Sequence, residues 1–215
     1  MIYLNLMNNI LRRLREETVN TVSETTYSTM VSDYINDAKQ IVEETTDWSA
    51  LRETVSISTT ASDNTYSLTG GGDSVKVMSV INDTQNCFMV YQTKDWFNNA
   101  LYIAEAVQGA PKYYTFNGLD ASGDTQVLVG PTPDGVYSLR FDVIKRQADL
   151  SNNLDVLLVP SKPVINMALA LLARERGETG GTSVSEYFEI ANKTLADAVA
   201  LDAAKHPEEM VFQTV

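Results

Sequence analysis

The chain has 215 residues, 44% hydrophobic and 20% charged, with a net charge of −12. That content supports a buried core in one domain or two small ones and excludes disorder over the whole length. The acidic balance, with no basic arm, excludes a protein that grips nucleic acid by counterion release, which needs clustered Lys and Arg.

The acidity is evenly spread, since residues 1–50, 51–150 and 151–215 each net −4. Cys87 is the only cysteine, so no intrachain disulfide can form, and its apolar surroundings in CFMVY predict a buried structural thiol rather than a nucleophile. The arginines near the N-terminus, Arg12, Arg13 and Arg15, follow the apolar residues instead of leading them, which is not the order of a signal peptide. The longest unbroken apolar run, Met167 to Ala173, falls far short of the roughly 20 residues that span a bilayer.

Three regimes follow one another: helical, strand-rich, helical. The spacing of Leu4, Met7, Leu11 and Leu14 predicts a first helix with one apolar face. A Ser/Thr-rich link leads to a second helix from about Thr29 to Trp48. Its stripe is Val31, Ile35, Ala38, Val42 and Thr45, widened by Tyr34, Ile41 and Trp48, with Asp33, Asp37, Lys39 and Glu43 opposite. From Arg52 the period changes to two. ETVSIST, TYSL, VKVMSVI, CFMVYQ, KYYTF, TQVLVG and VYSLRFDVIKR are separated by GGGDS, NDTQN, Asn117-Gly118 and PTPDG turns, which predicts a small antiparallel sandwich or barrel. TKDWFNNALYIAEA interrupts these strands with a short helix. In the last strand Tyr137, Leu139, Phe141 and Val143 share a face.

In the third regime Pro163 suits a first helical turn, Val164 to Arg176 form a largely apolar helix, and Gly177 fits a left-handed stop. Ser183 and Glu186 have capping-box spacing. Val184, Tyr187, Phe188, Ala191, Leu195, Ala198 and Val199 then stripe a final helix ending near His206-Pro207. The glycines of GETGG follow a helix and lack a Lys-Ser/Thr pair, so they read as the link of an αα-hairpin and not as a phosphate loop. The predicted fold class is α+β. A helical bundle is built from residues 1–52 and 149–206, with a β-rich insert at 53–148 and a tail at 207–215.

Catalytic chemistry finds little material. His206 is the only histidine, so any Ser/His/Asp or Cys/His machine would have to use it. Its place at a helix end beside Pro207 reads as a helix-terminal or exposed imidazole rather than a catalytic base, and metal sites built on several His or Cys are excluded. The adjacent pairs Glu16-Glu17, Glu43-Glu44 and Glu208-Glu209 read as solvated faces, since neighbours on a helix point apart. GLDASGD (118–124) lacks the closing Glu of an EF-hand and reads as a turn. No catalytic residue, metal or cofactor is expected. The aromatics Trp96, Phe97, Tyr102, Tyr113, Tyr114 and Phe116 cluster in the middle region. They suit core and inter-subunit packing better than base stacking, which also wants a basic groove; a glycan-binding β-sandwich module remains an alternative reading.

From residue 131 onward the order is distinctive. PTPDGVYSLRFDVIKRQADL is a Pro/Asp-Gly turn and a strand ending in Lys145 and Arg146. NNLDVLLVPSKPVINMALALLARERGE carries an Asp155-to-Pro160 loop into a helix, and EYFEIANKTLADAVALDA is the second helix. With LNLMNNILRRLRE and YINDAKQIVEETTDWSALR at the other end, this resembles the head-to-tail connector adaptors of tailed phages, the tail tubular protein A-like family. Ser161-Lys162-Pro163 departs from the family pattern, so no contact residue is carried over there. The resemblance implies a virion structural protein at the head–tail junction, assembled in the host cytoplasm as a dodecameric ring. Its implied partners are the portal protein, the tail nozzle or tubular protein and neighbouring copies, with DNA passing through the lumen without specific binding and no membrane involved. Another head-completion or stopper connector is the alternative within virion proteins. On this reading Met210, Val211, Phe212, Gln213, Thr214 and Val215 are expected to bind the portal. Trp96, Phe97, Tyr113 and Tyr114 are expected to contact a neighbouring subunit or the tail.

Overall fold

The computed structural model describes residues 1–103, 108–177 and 184–205. In chain order the elements are α1 (Tyr3–Arg13), α2 (Thr26–Thr45), β1 (Arg52–Ser58), β2 (Thr65–Ser67), β3 (Lys76–Asn82), β4 (Cys87–Phe88), β5 (Val90–Tyr91), α3 (Lys94–Phe97), β6 (Tyr113–Leu119), β7 (Thr125–Gly130), β8 (Ser138–Ile144), α4 (Ser161–Arg176) and α5 (Val184–Ala203). The fold is α+β, and the chain divides into two compact units. Arg52–Arg146 form one, and Met1–Leu51 with the chain from Gln147 onward form the other.

In the helical unit α4 is the axis. It is apolar nearly all round, with ten buried residues from Pro163 to Ala173, as expected of a helix surrounded by others. It packs against α1, α2 and α5. Gly177 ends it at φ +64°, the left-handed stop expected from the sequence. The apolar face of α1 is set by Tyr3, Leu6, Met7, Ile10 and Leu11. The expected stripe through Leu4 and Leu14 is thus displaced by one position, because Tyr3 and Leu6 enter the core. Helix α2 starts three residues earlier than expected, since Thr25 and Ser28 cap each other reciprocally, each side-chain oxygen accepting the other's backbone N–H at 3.0 Å. Such a cap contributes about 1 kcal/mol. The helix also ends earlier. Trp48 lies beyond it, buried, and its indole N–H donates to the Val42 carbonyl at 2.7 Å, satisfying one of the helix's last acceptors. Ile41, expected on the stripe, is exposed.

Two charges expected on the solvent face of α2 are inside. Lys39 and Glu43 are 2% and 6% exposed, with Lys39 Nζ 3.6 Å from Glu43 Oε1. The reason is the returning chain. Lys39 Nζ donates to the Gln147 carbonyl at 2.6 Å, and Asn36 exchanges two hydrogen bonds with the backbone of Leu150. Residues 147–150 therefore cover this side of α2. The reading of Glu43-Glu44 as a solvated pair holds for Glu44 and fails for Glu43.

The β unit is a sandwich of two four-stranded sheets, ordered β1-β8-β3-β4 and β2-β7-β6-β5. Its core takes Val80, Leu139, Phe141 and Val143 from one sheet and Tyr114, Val127 and Val129 from the other. Tyr114 and Phe141 meet edge to face across it, ring centres 6.3 Å apart. The single strand expected over CFMVYQ is two. Met89 turns into the core, its N–H donating to Val80 at 2.8 Å. The chain thereby leaves β3 and joins β6 as β5 in a parallel pair, whereas the other paired strands run antiparallel. Cys87, expected to be buried, is half-buried at this corner.

Candidate interaction surfaces

The four aromatics expected at a contact divide by depth. Helix α3 lies on β6; Phe97 is fully buried there, while Trp96 remains 37% exposed, 4.8 Å from the half-buried Tyr113 ring. Strand alternation sends Tyr114 the other way, into the core. Burial, reinforced by the neighbouring Tyr91, raises the Tyr114 hydroxyl above its ordinary pKa. Tyr91 packs on Tyr114 at 5.7 Å and on Phe116 at 6.0 Å. Phe88, Val90 and Tyr91 are each more than half exposed. Sequence reasoning missed these three because CFMVYQ read as one strand; its division at Met89 frees both short pieces at the sheet edges. Tyr102 and the end of the TKDWFNNALYIAEA helix fall among or beside residues whose side chains lie outside the described set.

A second apolar surface lies in the helical unit, on the 147–160 loop. Leu154 is 77% exposed, with Val156 and Leu158 near half, while Leu150, Leu157 and Val159 are buried. The loop is fastened throughout. Asp155 accepts from the Ser151 and Asn152 N–H groups, both at 2.8 Å, and these bonds hold its carboxyl below the ordinary range. The Asp155 and Asn153 carbonyls accept from Tyr3 and Leu4 N–H, and Leu157 N–H donates to Met1. The loop thus supplies the cap that Ile2 cannot give α1. Gln147 bonds both Val156 and Leu158 backbones. Apolar side chains held outward on a pinned backbone lose little freedom when covered, which is what favours a protein contact.

The acids of GLDASGD act on backbone, as expected of a turn. Asp120 accepts from Ser122 and Asp124 N–H, and Asp124 accepts from Gly70 and Gly72 at 2.9 and 2.8 Å. Among the described residues no three His, Cys, Asp or Glu side chains come together as a metal site. No described helix is long and apolar enough to cross a membrane. Residues 210–215, the capping-box Ser183 and His206 lie outside the described residues.

None of the curated proteins compared matches the chain. A family model described as SU10 adaptor protein matches residues 1–209, spanning both units. The match covers nearly the whole chain, and the chain belongs to the SU10 adaptor family of phage head–tail adaptors.

Proposed function

We infer that the protein assembles as a ring between the portal and the tail nozzle, its lumen passing DNA. The observation that carries this reading is the 147–160 loop, whose exposed Leu154, Val156 and Leu158 stand on a backbone that needs no reordering to bind. A patch of this kind meeting a different patch on the next copy is a heterologous contact, and such contacts form a ring when the rotation between copies closes. Trp96 and Tyr113 serve as a second contact, toward a neighbour or the tail, with the buried Phe97 ring packed against Trp96. Residues 210–215 bind the portal in this reading. A subunit of net charge −12, repeated round the ring, repels the DNA that slides through it.

Native mass spectrometry of the protein mixed with its portal ring tests this. The expected result is a ladder closing at one adaptor per portal subunit, twelve for a dodecamer, and Leu154→Asp with Leu158→Asp shortens it. Absence of binding while the portal ring stays intact overturns the reading.

A further inference from the structure

A cleft of about 380 Å³ opens in the helical unit where the C-terminal end of α1 meets α4 and α5. Leu169 and Ala173 form its apolar floor, Tyr187 and Ile190 one wall, and Arg13 and Arg15 the rim. The rim is built at a cost. Helix α1 stops in a Schellman motif: Glu16 N–H donates to the Leu11 carbonyl at 2.9 Å and Arg15 N–H to Arg12 at 3.2 Å. The residue this motif puts in the left-handed region is usually glycine, but here it is Arg15, at φ +58°. Among the described residues no carboxylate pairs with Arg12, Arg13 or Arg15. Arg13 instead donates to the Asn166 side-chain oxygen at 3.0 Å, so among the described residues the rim keeps its positive charge on a chain of net charge −12.

We propose that this cleft seats the chain's own residues 207–215, PEEMVFQTV, in the unassembled subunit. Their order suits it: Glu208 and Glu209 for the arginine rim, then Met210, Val211 and Phe212 for the apolar floor. The reach is sufficient. Ile190 lies 13 residues before Ala203, about 20 Å along a helix at 1.5 Å per residue. The chain from Ala203 to Phe212, running back extended, covers about 30 Å. The way back is partly apolar. Helix α5 buries only Ala191, Ala198 and Asp202, and Leu201, 71% exposed, stands three turns from Ile190 on the same face. The seat goes beyond the ring reading and does not depend on it.

The test uses a fluorescent peptide of residues 207–215, titrated by anisotropy into the full chain and into a chain truncated after His206, with no portal present. The truncated chain binds the peptide. The full chain binds it about tenfold or more weakly, because its own tail competes at high effective concentration. In the truncated chain Ile190→Asp weakens binding about tenfold. Arg15→Gly weakens it about threefold and leaves the circular-dichroism spectrum unchanged, since glycine fits the left-handed position. No binding to the truncated chain, equal binding to both chains, or binding indifferent to both substitutions overturns the proposal. So does a full-length dimer that disappears on truncation, which would put the tail in a neighbour's cleft. Because the portal is absent, either result leaves the portal ladder to be judged separately.

Discussion

The two units solve the same problem with different materials. The β unit closes on an apolar core of nine buried residues, from Leu68 to Val143 in sequence, knit by ladders between strands far apart in the chain. The helical unit also has an apolar axis, α4, but its crossing segments are fastened by polar pins: Lys39 to Gln147, Asn36 to Leu150, and Asp202 to Ser49. Packing tolerates a change of partner of similar shape, whereas a pin fails when either half is lost. The contrast teaches where each unit is vulnerable. Its consequence for function is that the pinned unit can hold an irregular loop, 147–160, in a fixed shape while Leu154, Val156 and Leu158 stay exposed.

The largest effect belongs to the apolar core. Phe141 is fully buried and touches both sheets, so Phe141→Ala costs about 3–5 kcal/mol. Urea unfolding followed by tyrosine fluorescence measures it, and the loss falls on the β unit while the helical signal at 222 nm keeps its midpoint. Coincident shifts of both signals would break the comparison by making the units one cooperative body. Next comes the innermost pin. Lys39→Met removes the donor to the Gln147 carbonyl and puts a methyl group beside the buried Glu43, a loss of about 3 kcal/mol. Adding Glu43→Leu restores the part due to the pair, while the Gln147 carbonyl still lacks its donor. If the double substitution is as damaging as the single one, the pair contributes more than its own desolvation.

Asp202 gives the comparison a pH axis. Burial works to raise its carboxyl, but the Ser49 hydroxyl and N–H, at 2.7 and 2.8 Å, and Lys205 outweigh that. The result is a pKa lowered from 3.8 to about 2. A depressed carboxyl stabilises the fold above its unfolded value and loses that contribution as pH falls toward the folded one. The stability at stake is on the order of 2 kcal/mol. Thermal melts between pH 4 and pH 2 should show the helical unit losing stability faster than Asp202→Asn does, with the variant already lower at pH 7. Parallel curves would mean the Ser49 pin is not felt in the equilibrium.

Much of this was legible in the chain, and the misses share a cause. Strand β8 alternates cleanly, so Leu139, Phe141 and Val143 announced the core face, and Gly177 announced the end of α4. The separation of Tyr113 from Tyr114 follows from alternation too, though grouping the aromatics by proximity in sequence concealed it. Lys39 and Glu43 could not be read as buried. A helical pattern sorts charge outward, and the segment that covers them lies 108 residues further on. Met89 was equally hidden, because an unbroken apolar run does not say that its middle residue will carry the chain from one sheet to the other. The stripe expected on the final helix holds, with Ala191 and Ala198 buried and its other members half-buried; Ile190 and Leu201, which lie off that stripe, are exposed.

The smallest expected effect has the opposite sign. At the end of α1, Arg15 holds a backbone conformation that costs an L-residue about 1–2 kcal/mol, and glycine adopts it without that penalty. Glycine also loses more freedom on folding, which takes back about 0.4–1 kcal/mol. Arg15→Gly therefore stabilises the helical unit by about 0.5–1 kcal/mol, read as a raised urea midpoint at unchanged slope. Since the Schellman hydrogen bonds are backbone to backbone, the substitution removes the guanidinium and leaves the helix stop in place. A rise would mean that this unit forgoes stability to keep a cation at the cleft rim, as residues held in strained backbone at binding sites do. A fall would mean that the stem of Arg15 packs on the cleft's apolar wall strongly enough to offset its own strain, making the residue one more fastener of the pinned unit.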